Sequence, residues 1–244
     1  MTRDAEGITE ITLPPWASSP RFDLTILIDH TLLKPEATAN QVARHCEEAA
    51  RDGFASVCVN PIWVPLAAAT LRGSGVRVCT VAGFPLGATP AKQKAGESAS
   101  ALEDGADEVD TVLPIGLVLG DDWGGLESEL RLLRKAVPKG SGILKVILET
   151  CLLNEAQKIR ACLTARDAGV DFVKTSTGFS TGGATEADVR LLRKTVGAFC
   201  GVKASGGIRT YEEAFRMVLA GATRLGLSAS IAVTRGSGAS TSGY

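Results

Sequence analysis

The chain has 244 residues, 45% of them hydrophobic and 22% charged, the balance of an ordinary globular protein rather than of a disordered or fibrous one. Its 26 Lys and Arg nearly cancel its 27 Asp and Glu, so no basic excess draws it to nucleic acid or to an anionic membrane, and any anion site must be local. No apolar run approaches the roughly 18 residues of a membrane span, and Met1 to Asp23, with Pro14, Pro15 and Pro20, lacks the basic-then-apolar layout of a signal peptide; a cytoplasmic protein is expected.

Along the chain, apolar runs of strand length alternate with longer amphipathic stretches. The expected strands are Thr25–Asp29, Ser56–Val59, Val76–Ala82, Glu108–Leu113, Ile143–Glu149, Phe172–Thr177, Gly201–Ala204 and Arg224–Ser228. Most are continuous and rich in Val, Ile and Leu, as strands covered on both faces are. Between them lie expected helices at Ala39–Arg51, Pro90–Glu103, Leu126–Ala136, Glu155–Asp167, Glu186–Val196 and Tyr211–Leu219. This alternation predicts βαβ units.

Four helices end in the same way, with a glycine just before the next strand: Gly53, Gly105, Gly169 and Gly221. A left-handed residue there stops the helix and turns the chain back onto the sheet. Each interval between these glycines holds two strands, so the repeat predicts eight, closed as a single-domain α/β (β/α)₈ TIM barrel. The expected division is an N-terminal extension at 1–24, the barrel at 25–232 and a flexible, Gly/Ser-rich tail at 233–244 ending in Tyr244.

Charged residues sit in the middle of these apolar strands: Asp29, Asp110, Lys145, Lys174 and Lys203, with Glu149 four residues after Lys145. Burying ions costs several kcal/mol each without improving packing, at order of magnitude. Three lysines and two or three carboxylates on five strands therefore predict an active site at the C-terminal mouth rather than filler. Residue alternation puts Lys145, Ile147 and Glu149 on one face.

A protonated amine cannot attack a carbonyl. A second ammonium about 5 Å away opposes protonation by roughly 3 kcal/mol at an effective dielectric of about 20. A lysine pair on adjacent strands is thus a device for making one of them nucleophilic. Lys174, followed by Thr175-Ser176-Thr177-Gly178, is the candidate nucleophile and Lys203 its partner. Only two histidines, His30 and His45, are present. That is too few for a zinc-type site with about three converging ligands, so no metal is expected. The six cysteines (46, 58, 79, 151, 162 and 200) include no Cys-x-x-Cys pair and read as reduced, mostly buried small hydrophobes.

The loops after the seventh and eighth strands of such barrels commonly hold phosphate with backbone N–H groups. Here they read Ala204-Ser205-Gly206-Gly207-Ile208-Arg209-Thr210 and Gly226-Leu227-Ser228-Ala229-Ser230, which predicts a phosphate site at the mouth.

These segments resemble the deoxyribose-phosphate aldolase family. The resemblance runs in order from about residue 25 to 232 through Leu27-Ile28-Asp29-His30-Thr31-Leu32-Leu33-Lys34-Pro35, Val57-Cys58-Val59-Asn60-Pro61, Ala82-Gly83-Phe84-Pro85-Leu86-Gly87, Glu108-Val109-Asp110, Leu144-Lys145-Val146-Ile147-Leu148-Glu149-Thr150, Phe172-Val173-Lys174-Thr175-Ser176-Thr177-Gly178 and Val202-Lys203-Ala204-Ser205-Gly206-Gly207-Ile208-Arg209-Thr210. It implies cleavage of 2-deoxyribose 5-phosphate through an imine on Lys174, with Asp110 and Lys203 moving protons. Asp29, Lys145, Glu149, Thr175 and Tyr244 would support them, and Gly178, Gly206, Gly207, Arg209, Gly226 and Ser228 would take the phosphate. It implies no cofactor, a small sugar phosphate as the molecular partner, and a homo-oligomer, dimer or tetramer. Two departures weaken the expected anion grip: Ala229 stands where relatives often have a second serine, and Phe179 where some carry lysine. Another Schiff-base barrel and a non-catalytic sugar-phosphate sensor are the alternatives.

Overall fold

A computed structural model describes residues 22–235. Eight parallel strands pair in chain order and close on themselves: β1 (Ile28–Leu32), β2 (Ser56–Val59), β3 (Arg77–Ala82), β4 (Glu108–Val112), β5 (Ile143–Ile147), β6 (Phe172–Lys174), β7 (Gly201–Ser205) and β8 (Arg224–Leu227). Nine helices lie among the described residues: α1 (Ala39–Asp52), α2 (Val64–Thr70), α3 (Ala91–Glu103), α4 (Ile115–Leu119), α5 (Trp123–Ala136), α6 (Glu155–Asp167), α7 (Glu186–Val196), α8 (Tyr211–Leu219) and α9 (Ser230–Arg235). The fold is the single-domain (β/α)₈ barrel that the repeat predicted. No described helix is long and apolar enough to cross a membrane.

The core lies between strands and helices. Val42, Cys46 and Ala49 of α1 are fully buried, as are Leu126, Leu130 and Leu133 of α5 and Val189, Leu192 and Val196 of α7, the stripes that a helical period makes on one face. Helix starts are fixed by reciprocal side-chain caps at Thr38/Gln41, Asn154/Gln157 and Thr210/Glu213. The four glycines at the helix ends all take positive φ, between 71° at Gly53 and 114° at Gly221, as the stop-and-turn reading required.

The first strand differs from expectation. Asp23 Oδ1 accepts hydrogen bonds from Thr25 N (2.9 Å) and Thr25 Oγ1 (2.6 Å), so Thr25–Leu27 winds into a 3₁₀ turn and β1 begins three residues later. At the other end, the last described helix, α9, runs from Ser230 to Arg235. Most of the expected N-terminal extension, and the tail from 236 with Tyr244, lie outside the described residues.

Candidate active site

Every strand sends a polar or charged side chain toward one buried cluster. At its centre is Asp110, third residue of β4. Its Oδ1 accepts from Lys145 Nζ at 2.7 Å, while its Oδ2 accepts from both Lys174 Nζ (2.8 Å) and Lys203 Nζ (2.7 Å). Lys174 and Lys203 are register partners on β6 and β7, which is why their ammonium ends reach the same oxygen. Lys145 and Lys203 are fully buried, and 3% of Lys174 is exposed.

Beneath this centre lies a second set of charges. Lys203 also bonds Asp29 Oδ2, and Asp29 Oδ1 takes Arg224 Nη1 (2.5 Å) and Ser56 Oγ (2.7 Å). Glu108, the first residue of β4, bonds Lys145 (2.6 Å) and Arg224 (3.0 Å). Arg77 reaches it at 3.3 Å from a side chain that is half in water. Arg224 in turn lies over the Phe172 ring, 5.5 Å from its centroid.

The electrostatics follow from this packing. Burial alone would lower Lys203, but Asp110 and Asp29 outweigh it and hold the ammonium well above its usual range. Lys145 is raised in the same way, burial being overcome by Asp110 and Glu108 among others. Burial would raise the Asp110 carboxyl, but its three lysines hold it far below the carboxylate range. Asp29 is likewise low against burial, through Lys203, Lys145 and Arg224. The two lysines of the expected pair therefore do not face each other bare; a carboxylate oxygen stands between them.

Three groups of potential cation ligands occur among the described residues. Two of them, Cys58/Cys79/Asp110 and Asp29/Cys79/Glu108, share Cys79, whose Sγ lies 3.2 Å from a Lys145 ammonium already bonded to Asp110 and Glu108. In the third, the His30 and His45 rings stack 3.5 Å apart at 15°, so their in-plane lone pairs run side by side instead of converging on one ion.

Other expected site residues fall elsewhere. Glu149 lies past the end of β5 with φ of 55°, which breaks the alternation with Lys145. Its carboxylate accepts from Thr177 Oγ1 at 2.5 Å and does not join the lysine cluster. Thr175 Oγ1 donates to Ser205 O (3.2 Å) and accepts from Ser205 N (3.1 Å), stapling the end of β6 to β7. Gly178 and Gly206, from the loops after β6 and β7, come together: a Cβ on Gly178 would be 3.9 Å from Gly206 Cα. Gly183 approaches so closely that a Cβ there would stand 2.3 Å from Gly206 O. Gly226 has a different contact, for a Cβ there would meet Lys203 Cε at 3.1 Å; its bareness leaves room for the lysine. Gly207, Arg209 and Ser228 are exposed beside the mouth, and Arg209 N–H donates to Glu213 Oε2 at 2.7 Å. Phe179 meets Phe84 edge to face, centroids 5.3 Å apart, and Phe84 packs on Leu33, Cys58, Cys79 and Val81 inside the barrel.

Sequence reasoning missed Glu108, Arg224, Arg77, Ser56 and Gly183. For Glu108 a signal existed, since it stands two residues before Asp110 and shares its face.

Enzymes built on (β/α)₈ barrels carry their sites at the strands' C-terminal ends, and buried lysines gathered on one carboxylate are groups suited to carbonyl chemistry. The comparisons make the class specific: the DeoC/LacD family aldolase model matches residues 24–241, and the chain belongs to that family of lyases. It is 54% identical over 213 residues to the deoxyribose-phosphate aldolase of Streptococcus gordonii, covering 87% of this chain and 96% of the relative. The enzyme of that name from a Geobacillus species is 53% identical over 210 residues, covering 86% and 94%. Among solved structures, the tetrameric deoxyribose phosphate aldolase of Aeropyrum pernix superposes with a TM-score of 0.78 at 34% identity, covering 87% of this chain and 89% of that one.

Proposed function

We propose that this aldolase cleaves 2-deoxy-D-ribose 5-phosphate reversibly to D-glyceraldehyde 3-phosphate and acetaldehyde, through an imine on Lys174. The observation that carries the reading is the shared hydrogen bonding of Lys174 and Lys203 to Asp110 Oδ2; the names of the relatives support the substrate.

The Lys174 amine, as the free base, attacks C1 of the open-chain aldehyde, and the carbinolamine loses water to give a protonated imine. That cation is an electron sink. A base takes the C3 hydroxyl proton, the C2–C3 electron pair moves toward the iminium, and glyceraldehyde 3-phosphate leaves. The enamine is protonated at C2, and hydrolysis releases acetaldehyde and regenerates the amine. Asp110 touches the nitrogen that gains and loses protons, and Lys203, held as an ammonium, keeps that carboxylate oriented; together they form the acid–base apparatus. The close backbone of Gly178 and Gly206 offers the 5-phosphate its cradle, with Gly207, Arg209 and Ser228 at the rim. The role is deoxyribose breakdown in the cytoplasm by a homo-oligomer, an assembly in keeping with the tetrameric Aeropyrum relative.

Borohydride trapping with acetaldehyde, followed by peptide mapping, tests the mechanism: the label is expected on Lys174, and a label absent from it defeats the reading. Comparing acetaldehyde with dihydroxyacetone phosphate and pyruvate as donors separates it from other Schiff-base aldolases.

A further inference from the structure

The reading of Lys174 as the imine-forming amine leaves unexplained why so many further ions are buried below it. Within the barrel, three carboxylates (Asp29, Glu108 and Asp110) contact three cations other than Lys174 (Lys145, Lys203 and Arg224). These charges cancel. We propose that Glu108 and Arg224 are positioning residues of the reaction, completing a neutral set of buried ions in which the Lys174 ammonium would be the one surplus charge.

The geometry supports this from each strand. Arg224 on β8 faces Asp29 on β1 and Glu108 on β4, and closes the set from the N-terminal side. Lys145 on β5 bridges Glu108 and Asp110, and Lys203 on β7 bridges Asp29 and Asp110. On β3, Arg77 meets Glu108 from an exposed side chain and is screened by water. On the same strand, burial pushes the Cys79 thiol well up, so it adds no charge, while its neighbour Cys58 on β2 is lowered by the hydrogen bond with Cys79 and by nearby Lys203. In a site closed to water a net charge is opposed by the whole set, so a charge added to or taken from its balanced members should be felt at Lys174, which meets the set through Asp110 Oδ2. Arg224 and Glu108 touch no reacting atom; they act by fixing Asp29 and Lys145 and by their charges.

This assignment rests on the reading of Lys174 above, and its test separates the two. The pH dependence of borohydride trapping with acetaldehyde is measured, with peptide mapping, for the full chain and its variants. Arg224→Met leaves the set one negative charge in excess, so the acidic limb of the profile should move up in pH. Glu108→Gln leaves it one positive charge in excess, and the limb should move down. Each shift is expected to be on the order of one pH unit for a charge about 10 Å away at an effective dielectric of about 20. Arg224→Lys keeps the limb in place, and the double variant Glu108→Gln/Arg224→Met brings it back to the wild-type position. A purely structural role would not give opposite shifts that cancel. Shifts in one direction, or none, with the label on Lys174 overturn this assignment alone. A label on another lysine overturns the reading of Lys174 and this assignment with it. Should Arg224→Met fail to fold, Glu108→Gln decides, and a limb that stays or rises overturns the proposal.

Discussion

Lys174 and Lys203 stand opposite each other on neighbouring parallel strands and donate to the same oxygen, Oδ2 of Asp110. A lysine pair alone would make either amine nucleophilic by repulsion. The intervening carboxylate breaks that symmetry, because Lys203 has a second carboxylate, Asp29, and Lys174 has none among its ion pairs. The same strand register therefore yields two unlike amines, Lys203 bonded to two carboxylates and Lys174 to one.

Asp110→Asn tests the role of that oxygen. The amide keeps the shape but neither carries the charge nor accepts a proton. Turnover of deoxyribose 5-phosphate is expected to fall by about 10²- to 10⁴-fold, the range for losing a general acid–base group, with the loss in kcat more than in KM. Steady-state assays check it; a loss confined to KM would make Asp110 a binding group only.

Gly226→Ala addresses how Lys203 is placed. The added methyl would lie 2.9 Å from Ser205 Cβ and 3.1 Å from Lys203 Cε, closer than van der Waals contact, so the lysine stem must shift. The shift required is small against the displacement of about 1 Å that can cost about 10²-fold in rate, so a several-fold loss is expected from a chain that remains folded by circular dichroism. Unchanged kcat would mean that Lys203 has slack.

How legible the molecule was depended on where each residue sits. β2 and α6 match their expected bounds to the residue, β2 as an unbroken buried run and α6 as a helix started by the Asn154/Gln157 capping box. β1 was displaced by one local hydrogen-bonding side chain, Asp23, and α2 and α4 escaped because they are short and apolar, with Pro65 in the first turn of α2. Lys174, Lys203 and Asp110 stood out as ions inside apolar runs. Glu108 and Arg224 did not, since a charge at the first residue of a strand reads as an exposed end, and only closure of the barrel turns both inward. Glu149 misled because alternation holds only while the backbone stays extended.

The stacked histidines make a prediction about acid stability. Burial lowers His30 to about 4; burial and then the charge of His30 lower His45 to about 3. In the unfolded chain both titrate near 6.5. Their folded pKa values are depressed, so the unfolded state binds more protons below about 6.5, and stability present above that pH is lost as pH falls toward 4. The loss by pH 5 is about 2 kcal/mol per histidine, before the depressed carboxylates Asp29 and Asp110 begin to contribute near pH 4. Urea midpoints at pH 7.5 and 5 measure it, and His45→Phe, which keeps a stacking ring, should flatten the slope; an equally steep slope in that variant would exclude the pair as its source.

Lys94 and Glu129 form a buried ion pair outside the site. Lys94 Nζ donates to Glu129 Oε1 and to Val112 O, both at 2.8 Å. Burial lowers Lys94 and raises Glu129, and in each case the partner offsets part of that desolvation. Lys94→Met strands Glu129 and the Val112 carbonyl, and should cost about 3–5 kcal/mol in urea unfolding. Adding Glu129→Leu should recover most of it, and a double variant no better than the single would show that packing, not charge, sets the loss.

Phe179 offers a test of the substrate at the mouth. It is 42% exposed, follows Gly178 and stands edge to face with Phe84, presenting carbon beside the loop proposed to take the phosphate. Phe179→Lys puts an ammonium beside the Gly178/Gly206 cradle. An exposed ion pair is worth up to about 1 kcal/mol, so kcat/KM for 2-deoxyribose 5-phosphate should rise up to about fivefold relative to 2-deoxyribose, mainly through KM. Screening should erase most of the gain near 1 M salt, where the Debye length is about 3 Å. A gain equal for both sugars would place the phosphate away from this loop and leave the glycines after β7 to hold it unaided.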